Sequence, residues 1–214
     1  MTTPLDARER VQICARFDEL GPDAPTLCEG WTTFDLAAHL AVRERNPLAG
    51  PGIVAGDKVA AFGRMTEHAM EKEKRRGWTA VVERVRTGPP FGPFAVPGLR
   101  DQINFIEYLV HHEDVRRANG MGPRTGVDDL QDAAWHQLRR LSRFLPGFPR
   151  GIGLELARPG GDVHVARHGS ATGRLTGDPI ELVLYLYGRG DHAEVELTGD
   201  DEAVEKVKHA RLGI

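Results

Sequence analysis

Cysteine is scarce in this chain, which has only Cys14 and Cys28 among its 214 residues. Two cysteines cannot build a disulfide framework, and these two do not have the Cys-x-x-Cys spacing of redox or metal-binding motifs. Cys14 lies at helical spacing from Val11 and Phe17, which predicts a core position. For Cys28, a small buried apolar role is favoured over that of a reactive thiol.

Long apolar segments and strong charge are missing as well. The longest relevant apolar run, 182–187, is far shorter than the ~20 residues that an α-helix needs to cross a bilayer, and residues 1–20 predict a charged amphipathic helix and not a secretory peptide. A net charge of -3 leaves no electrostatic footprint for nucleic acid. Neither 50–52 nor 159–161 has the context of a phosphate loop. We therefore expect a cytoplasmic protein, monomer or homodimer, that acts on small molecules without membrane or nucleic-acid partners.

Helical periodicity dominates the chain up to Pro149. The pattern predicts a mainly α fold in which residues 1–149 form a helical bundle. The predicted helices cover residues 3–20, 32–46, 57–76, 78–85, a segment around Glu107, and 127–145. A Pro/Gly-rich loop over 47–56 and a proline-rich connection over 87–98 separate them.

After Pro149 the period changes to that of strands. Alternating apolar residues over 152–156 and 163–165, with a Pro-Gly-Gly-Asp turn between them, predict a β-hairpin. A short buried helix over 179–187, a strand over 193–197 and a helix over 201–210 complete a small α+β domain, residues 150–214. So small a unit is marginally stable alone, so we expect it to pack on the bundle and to bury Leu182, Leu184 and Leu186.

Three residues of one predicted helix carry a candidate metal site. At 100° per residue, His111 lies about 40° from Glu107 on the helical wheel, and Asp114 lies about 20° to the other side. Val110 and Ala118 share that side, so the row faces the core, whereas His112 points about 140° away. Buried carboxylates and imidazoles need partners. Taken alone, Glu107 and His111 also fit an ordinary helical ion pair.

His39 presents a second inward-facing histidine. Thr32 and Asp35 resemble a capping box that begins its helix, and His39 shares a side with Leu36 and Arg43. A core histidine bonded to a backbone carbonyl is the alternative. Jointly, His39, Glu107 and His111 favour a divalent metal such as zinc, with a coordination position left open for water or substrate.

Several motifs of the chain also resemble a known family. The sequence is similar to the mycothiol-dependent maleylpyruvate isomerase family, actinobacterial members of the DinB-like superfamily of metal-binding four-helix bundles. The motifs are Cys28-Glu29-Gly30-Trp31, Asp35 to Leu40, His39 to Arg45, Glu107 to Asp114 and Val110 to Arg117. The resemblance implies His39, Glu107 and His111 as ligands and mycothiol as the thiol cosubstrate. Its C-terminal part, from Gly177-Asp178-Pro179 to Gly188-Arg189, resembles sterol carrier proteins.

The same comparison implies roles for residues around the metal. In this family the thiolate adds to an activated double bond, allows rotation and leaves. Asp114 and Arg189 are the predicted catalytic residues, and Arg43 and Arg189 are the predicted substrate-binding residues, through a substrate carboxylate. Asp114 would orient a ligand histidine or a bound water, and the alternative is an ion pair with Arg117 or Arg43. For either arginine, the alternative is a surface or interdomain salt bridge.

Two functions therefore remain open at the level of sequence. The leading hypothesis is a metal-dependent, thiol-using enzyme of the transferase or cis-trans isomerase kind. The alternative is a metal-binding bundle without catalysis that serves as a regulatory or binding module. A substrate-sized anion clamp near the metal distinguishes the two, because a purely structural metal does not need one.

Overall fold

The protein's computed structural model describes residues 4–45, 59–90, 92, 95–96, 99–145 and 147–213. The chain divides into two compact units, Met1–Gly122 and Pro123–Ile214. The domain boundary predicted after residue 149 stays a prediction, and helix α6 is part of the second unit in the structure. The described helices are α1 Leu5–Leu20, α2 Thr33–Arg45, α3 Val59–Lys74, α4 Trp78–Thr87, α5 Leu99–Ala118, α6 Asp128–Leu141, α7 Pro179–Leu184 and α8 Asp201–Lys208.

The first unit is built from α1 to α5. Helix α1 packs most extensively along α5, while α2 packs against α3 and α4, and α4 also contacts α1. Helix α1 ends where Gly21 adopts a φ of 78° and its N–H bonds to the carbonyl of Phe17, an ending that favours glycine. Phe17, Leu36, Leu40 and Tyr108 are fully buried in the core. This arrangement confirms a mainly helical part before the strands.

Most predicted helices of this unit agree with the structure to within a few residues. The capping box is also present, since the Asp35 carboxylate accepts hydrogen bonds from the Thr32 N–H at 2.9 Å and from the Thr32 hydroxyl at 2.8 Å. The loop predicted over 47–56 lies outside the described residues, as does part of the connection predicted over 87–98. None of the helices described is long and apolar enough to cross a membrane.

The second unit contains a four-stranded sheet, in the order β2-β1-β3-β4. The strands are β1 Ile152–Ala157, β2 Val163–Arg167, β3 Ala171–Thr176 and β4 Glu196–Gly199. The predicted hairpin is confirmed as the antiparallel pair β1 and β2. The strand predicted over 193–197 is shifted, because a 3₁₀ turn occupies Gly190–His192 and pairing with β3 begins at Glu196.

Strand β3 was not predicted from the sequence, although it lies at the centre of the sheet. It runs parallel to β1, with Ile152 opposite Ala171, and antiparallel to β4. Its inward positions are Ala171, Gly173 and Leu175, and two of these three residues are weak strand formers. Helix α8 packs on β3, and α7 packs on α6. Leu182, Leu184 and Leu186 are buried, as predicted.

A three-residue loop, 168–170, carries the chain from β2 across the start of β1 to β3. A Cβ at Gly169 would lie 2.1 Å from the backbone nitrogen of Gly153 and 2.4 Å from the carbonyl carbon of Ile152. The Ser170 N–H bonds to the Gly151 carbonyl at 2.9 Å, which fixes this close approach. Only glycine therefore fits at the crossing.

We predict that Gly169→Ala destabilises the protein by about 2–3 kcal/mol, because backbone must move to admit the methyl group. Gly122→Ala is the matched control, since nothing lies within 4 Å of a Cβ there. Urea unfolding of both variants measures the difference. Equal stability of the two would contradict the crossing geometry.

Candidate metal centre

Helices α2 and α5 bring together the three predicted ligands. The Nε2 atom of His39 lies 3.1 Å from Oε1 of Glu107, and Nε2 of His111 lies 3.4 Å from the same oxygen. The two imidazole rings meet edge to face, with their centroids 5.2 Å apart. One donor atom from each of the three residues lies within 4.8 Å of the others.

These separations fit a tetrahedral cation. Bonds of about 2.1 Å at tetrahedral angles put neighbouring ligand atoms about 3.4 Å apart, close to the separations from Glu107 to each histidine. The side chains of His39, Glu107 and His111 are 19%, 21% and 12% exposed, so an ion can reach them from solvent. Two imidazoles and one carboxylate are also a donor set that suits zinc.

Electrostatics in the cluster favours an ionised Glu107. Burial by itself would raise the pKa of this carboxyl, but hydrogen bonds with His111 and His39 and the charge of Arg43 hold its pKa well below the usual value. Burial lowers the pKa of His39, which keeps that imidazole neutral. A neutral imidazole and a carboxylate are the forms that bind metal.

Asp114 and Cys28 lie on the opposite edge of the His111 ring. Oδ2 of Asp114 lies 2.9 Å from Nδ1 of His111. Although burial alone would lower the pKa of His111, its hydrogen bonds with Asp114, Cys28 and Glu107 raise that pKa well above the usual value. A carboxylate on Nδ1 fixes the ring so that Nε2 faces Glu107, the arrangement found behind many metal-bound histidines.

The apolar role favoured for Cys28 is wrong. Its thiol is half-buried and donates to Oδ2 of Asp114 at 3.2 Å, with Sγ 3.9 Å from Nδ1 of His111. The Leu27 N–H bonds to the Asp114 carbonyl at 3.2 Å and fastens this loop to α5. Because Cys28 faces Nδ1 and not Nε2, it does not belong to the donor group of His39, Glu107 and His111. That group therefore keeps an open position.

Arg43 lies beside the donor group, one turn after His39. Its Nε is 3.1 Å from Oε1 of Glu107, and its Nη1 donates to Oδ1 of Asn104 at 2.7 Å. Asn104 in turn donates to Glu44 at 2.8 Å. The sequence analysis missed Asn104 and Glu44. Asn104 lies three residues before Glu107 on the same face of α5, and this spacing is the signal that would have revealed it.

Other predicted residues occupy different surroundings. His112 bonds to Glu9 at 3.0 Å, away from the donor group, as predicted. Glu113 was assigned to a solvated face, which is wrong, because it is fully buried and pairs with Arg116 and Arg117. Arg189 belongs to the second unit, and its Nη1 donates to the Tyr187 carbonyl.

Two solved structures share this fold. They are crystal structures of mycothiol-dependent maleylpyruvate isomerase and of a histidine-to-alanine mutant of it, with TM-scores of 0.56 and 0.57. Each is 16% identical to this chain, over 91% of this chain and 90% of the other. Such an identity shows a distant structural relationship and a common fold. The sequence matches no known protein family and no curated protein.

The two cysteines should differ sharply in reactivity. Cys14 is fully buried, and burial raises the pKa of its thiol to about 12, so the reactive thiolate is scarce. We predict that an aromatic disulfide reagent titrates one thiol in the native protein and two after denaturation. Cys28→Ser should abolish the native signal and Cys14→Ser should keep it. A native signal that survives Cys28→Ser would contradict this assignment.

Proposed function

We propose that the first unit binds one divalent metal ion, zinc by preference, through His39, Glu107 and His111. The observation that carries this proposal is the meeting of the three donors at separations that match the edges of a tetrahedral site. The low pKa of Glu107 and the neutral His39 support it. The DinB-like assignment of this unit and the sterol-carrier-like assignment of the second belong to the same proposal.

We further propose that the protein is a thiol-using enzyme of the transferase or cis-trans isomerase type. A divalent cation at this position supplies a Lewis acid that lowers the pKa of a thiol or water bound beside it. Mycothiol is the proposed thiol, because the two solved structures of similar fold are of an enzyme that depends on it. The other substrate is a small electrophile with an activated double bond.

The chain's own residues have distinct tasks in this proposal. Asp114 holds Nδ1 of His111 and so orients the ring. Arg43 was predicted to bind a substrate carboxylate, but its contacts with Glu107 and Asn104 favour a role within the protein. Arg189 stays the proposed anion-binding and catalytic arginine. Arg189→Ala should then weaken substrate or thiol binding without changing metal content, because arginine is not a ligand.

The metal assignment predicts the stoichiometry of the purified protein. We expect about one divalent ion per chain, and His39→Ala should reduce this to a small fraction, because two remaining ligands hold an ion poorly. His68→Ala is the control, since His68 is exposed on α3 and lies outside the donor group. Elemental analysis after desalting gives the ratio. A metal-free wild-type protein that takes up no added zinc would refute the proposal.

The thiol assignment predicts turnover that needs both metal and thiol. The zinc-loaded protein, given mycothiol and a panel of small unsaturated carboxylates, should convert at least one of them. His39→Ala should lose at least about 100-fold in rate, since the Lewis acid contributes several kcal/mol to the transition state. His68→Ala should keep the rate. No turnover by zinc-loaded wild type would instead favour the metal-binding module without catalysis.

A further inference from the structure

We propose that Asn104 is a positioning residue of the metal centre, which acts by holding Arg43 against Glu107. This inference rests on the proposed metal binding and goes beyond it, because Asn104 touches none of the three donor residues in its printed side-chain contacts. The side chain of Asn104 is fully buried between α2 and α5. It connects Arg43, which reaches the ligand Glu107, to Glu44, which does not.

The polarity of the amide matches its two neighbours. Its carbonyl oxygen accepts from the Arg43 guanidinium at 2.7 Å, and its NH₂ group donates to the Glu44 carboxylate at 2.8 Å. The reverse orientation would set NH₂ against a guanidinium and a carbonyl against a carboxylate, so one orientation alone satisfies both. Because Asn104 is excluded from water, solvent cannot replace either bond if it is lost.

The far end of this chain of contacts is anchored to two further helices. Arg10, from α1, donates to both oxygens of Glu44, with Nη1 at 2.7 Å from Oε2. The same Nη1 donates to the Val85 carbonyl of α4 at 2.7 Å. Glu44 is therefore fixed, Asn104 is fixed by Glu44, and the Arg43 guanidinium is fixed by Asn104.

The consequence is a preorganised ligand. A glutamate side chain has three rotatable bonds, and their freedom must be given up when the carboxylate binds an ion. Arg43 keeps Oε1 of Glu107 at 3.1 Å from His39 and 3.4 Å from His111 before any ion arrives. Removing Asn104 changes no charge near the metal, so it tests position separately from electrostatics.

The experiment measures metal affinity and metal geometry in Asn104→Leu. Zinc affinity is obtained by competition with a chromophoric chelator, and geometry from the visible absorption of the cobalt-substituted protein. Substitutions of residues that hold metal ligands typically weaken affinity by about 10- to 100-fold, and we expect a loss in this range together with an altered cobalt spectrum. If Asn104→Leu does not fold, Asn104→Ser is measured with the same expectation.

Thr33→Val is the matched control. It removes one buried hydrogen bond, from the Thr33 hydroxyl to the Gly21 carbonyl, in the same unit and on the same helix α2. Its zinc affinity should stay within about twofold of the wild type, because general loosening of the bundle does not move Glu107. An equal effect of Thr33→Val and the Asn104 variant would reduce Asn104 to a structural role and overturn the proposal.

A double-mutant cycle tests the route through Arg43. If Asn104 acts by holding Arg43, then Asn104→Leu should change the affinity by less than about twofold in an Arg43→Gln background. A tenfold loss in that background would overturn the route. Wild-type protein that binds no zinc would refute metal binding itself, whereas normal binding with a silent Asn104→Leu would refute only the positioning role.

Discussion

The carboxylate of Glu107 is the interaction on which the first unit's polar interior depends. Its Oε1 lies 3.1 to 3.4 Å from nitrogens of His39, His111 and Arg43. A carboxylate inside a helical bundle is costly unless such partners surround it. The partners come from both α2 and α5, so the same charge that needs compensation also aligns the two helices at the level of the proposed site.

This polar interior continues away from the site as alternating charges. Arg43 and Glu44 follow each other in α2, Asn104 bridges them, and Arg10 closes the sequence of contacts from α1. Buried ion pairs seldom stabilise a fold more than apolar residues of the same size would. We therefore interpret these contacts as a device for fixing the positions of side chains, and the carboxylate at their end is the proposed metal ligand.

Spacing within a helix predicted the part of the site that lies on one element. The order of Glu107, His111 and Asp114 follows from helical geometry alone, and the capping residues Thr32 and Asp35 placed His39 within its helix. Contacts between distant segments did not follow from spacing. Cys28 meets His111 across 83 positions of sequence, and the burial of Glu113 depends on how α5 packs, which no local pattern encodes.

The sheet shows the same limit. The β1–β2 hairpin was predictable because its two strands alternate around a turn. Strand β3 was not, because its pairing partner β1 is reached by a loop whose only local sign is Gly169 at the crossing. A long-range backbone approach leaves its mark as a small residue, and a small residue alone has several explanations.

The central claim is an open metal centre made by two imidazoles and one carboxylate. Zinc K-edge X-ray absorption of the zinc-loaded protein tests it most directly, because sulfur and nitrogen or oxygen ligands lie at different distances. We predict two imidazoles and further oxygen ligands at about 2.0–2.2 Å, with no sulfur at about 2.3 Å until a thiol is added. A sulfur ligand at about 2.3 Å without added thiol, which Cys28→Ser removes, would mean a site that the protein itself closes and would contradict the account.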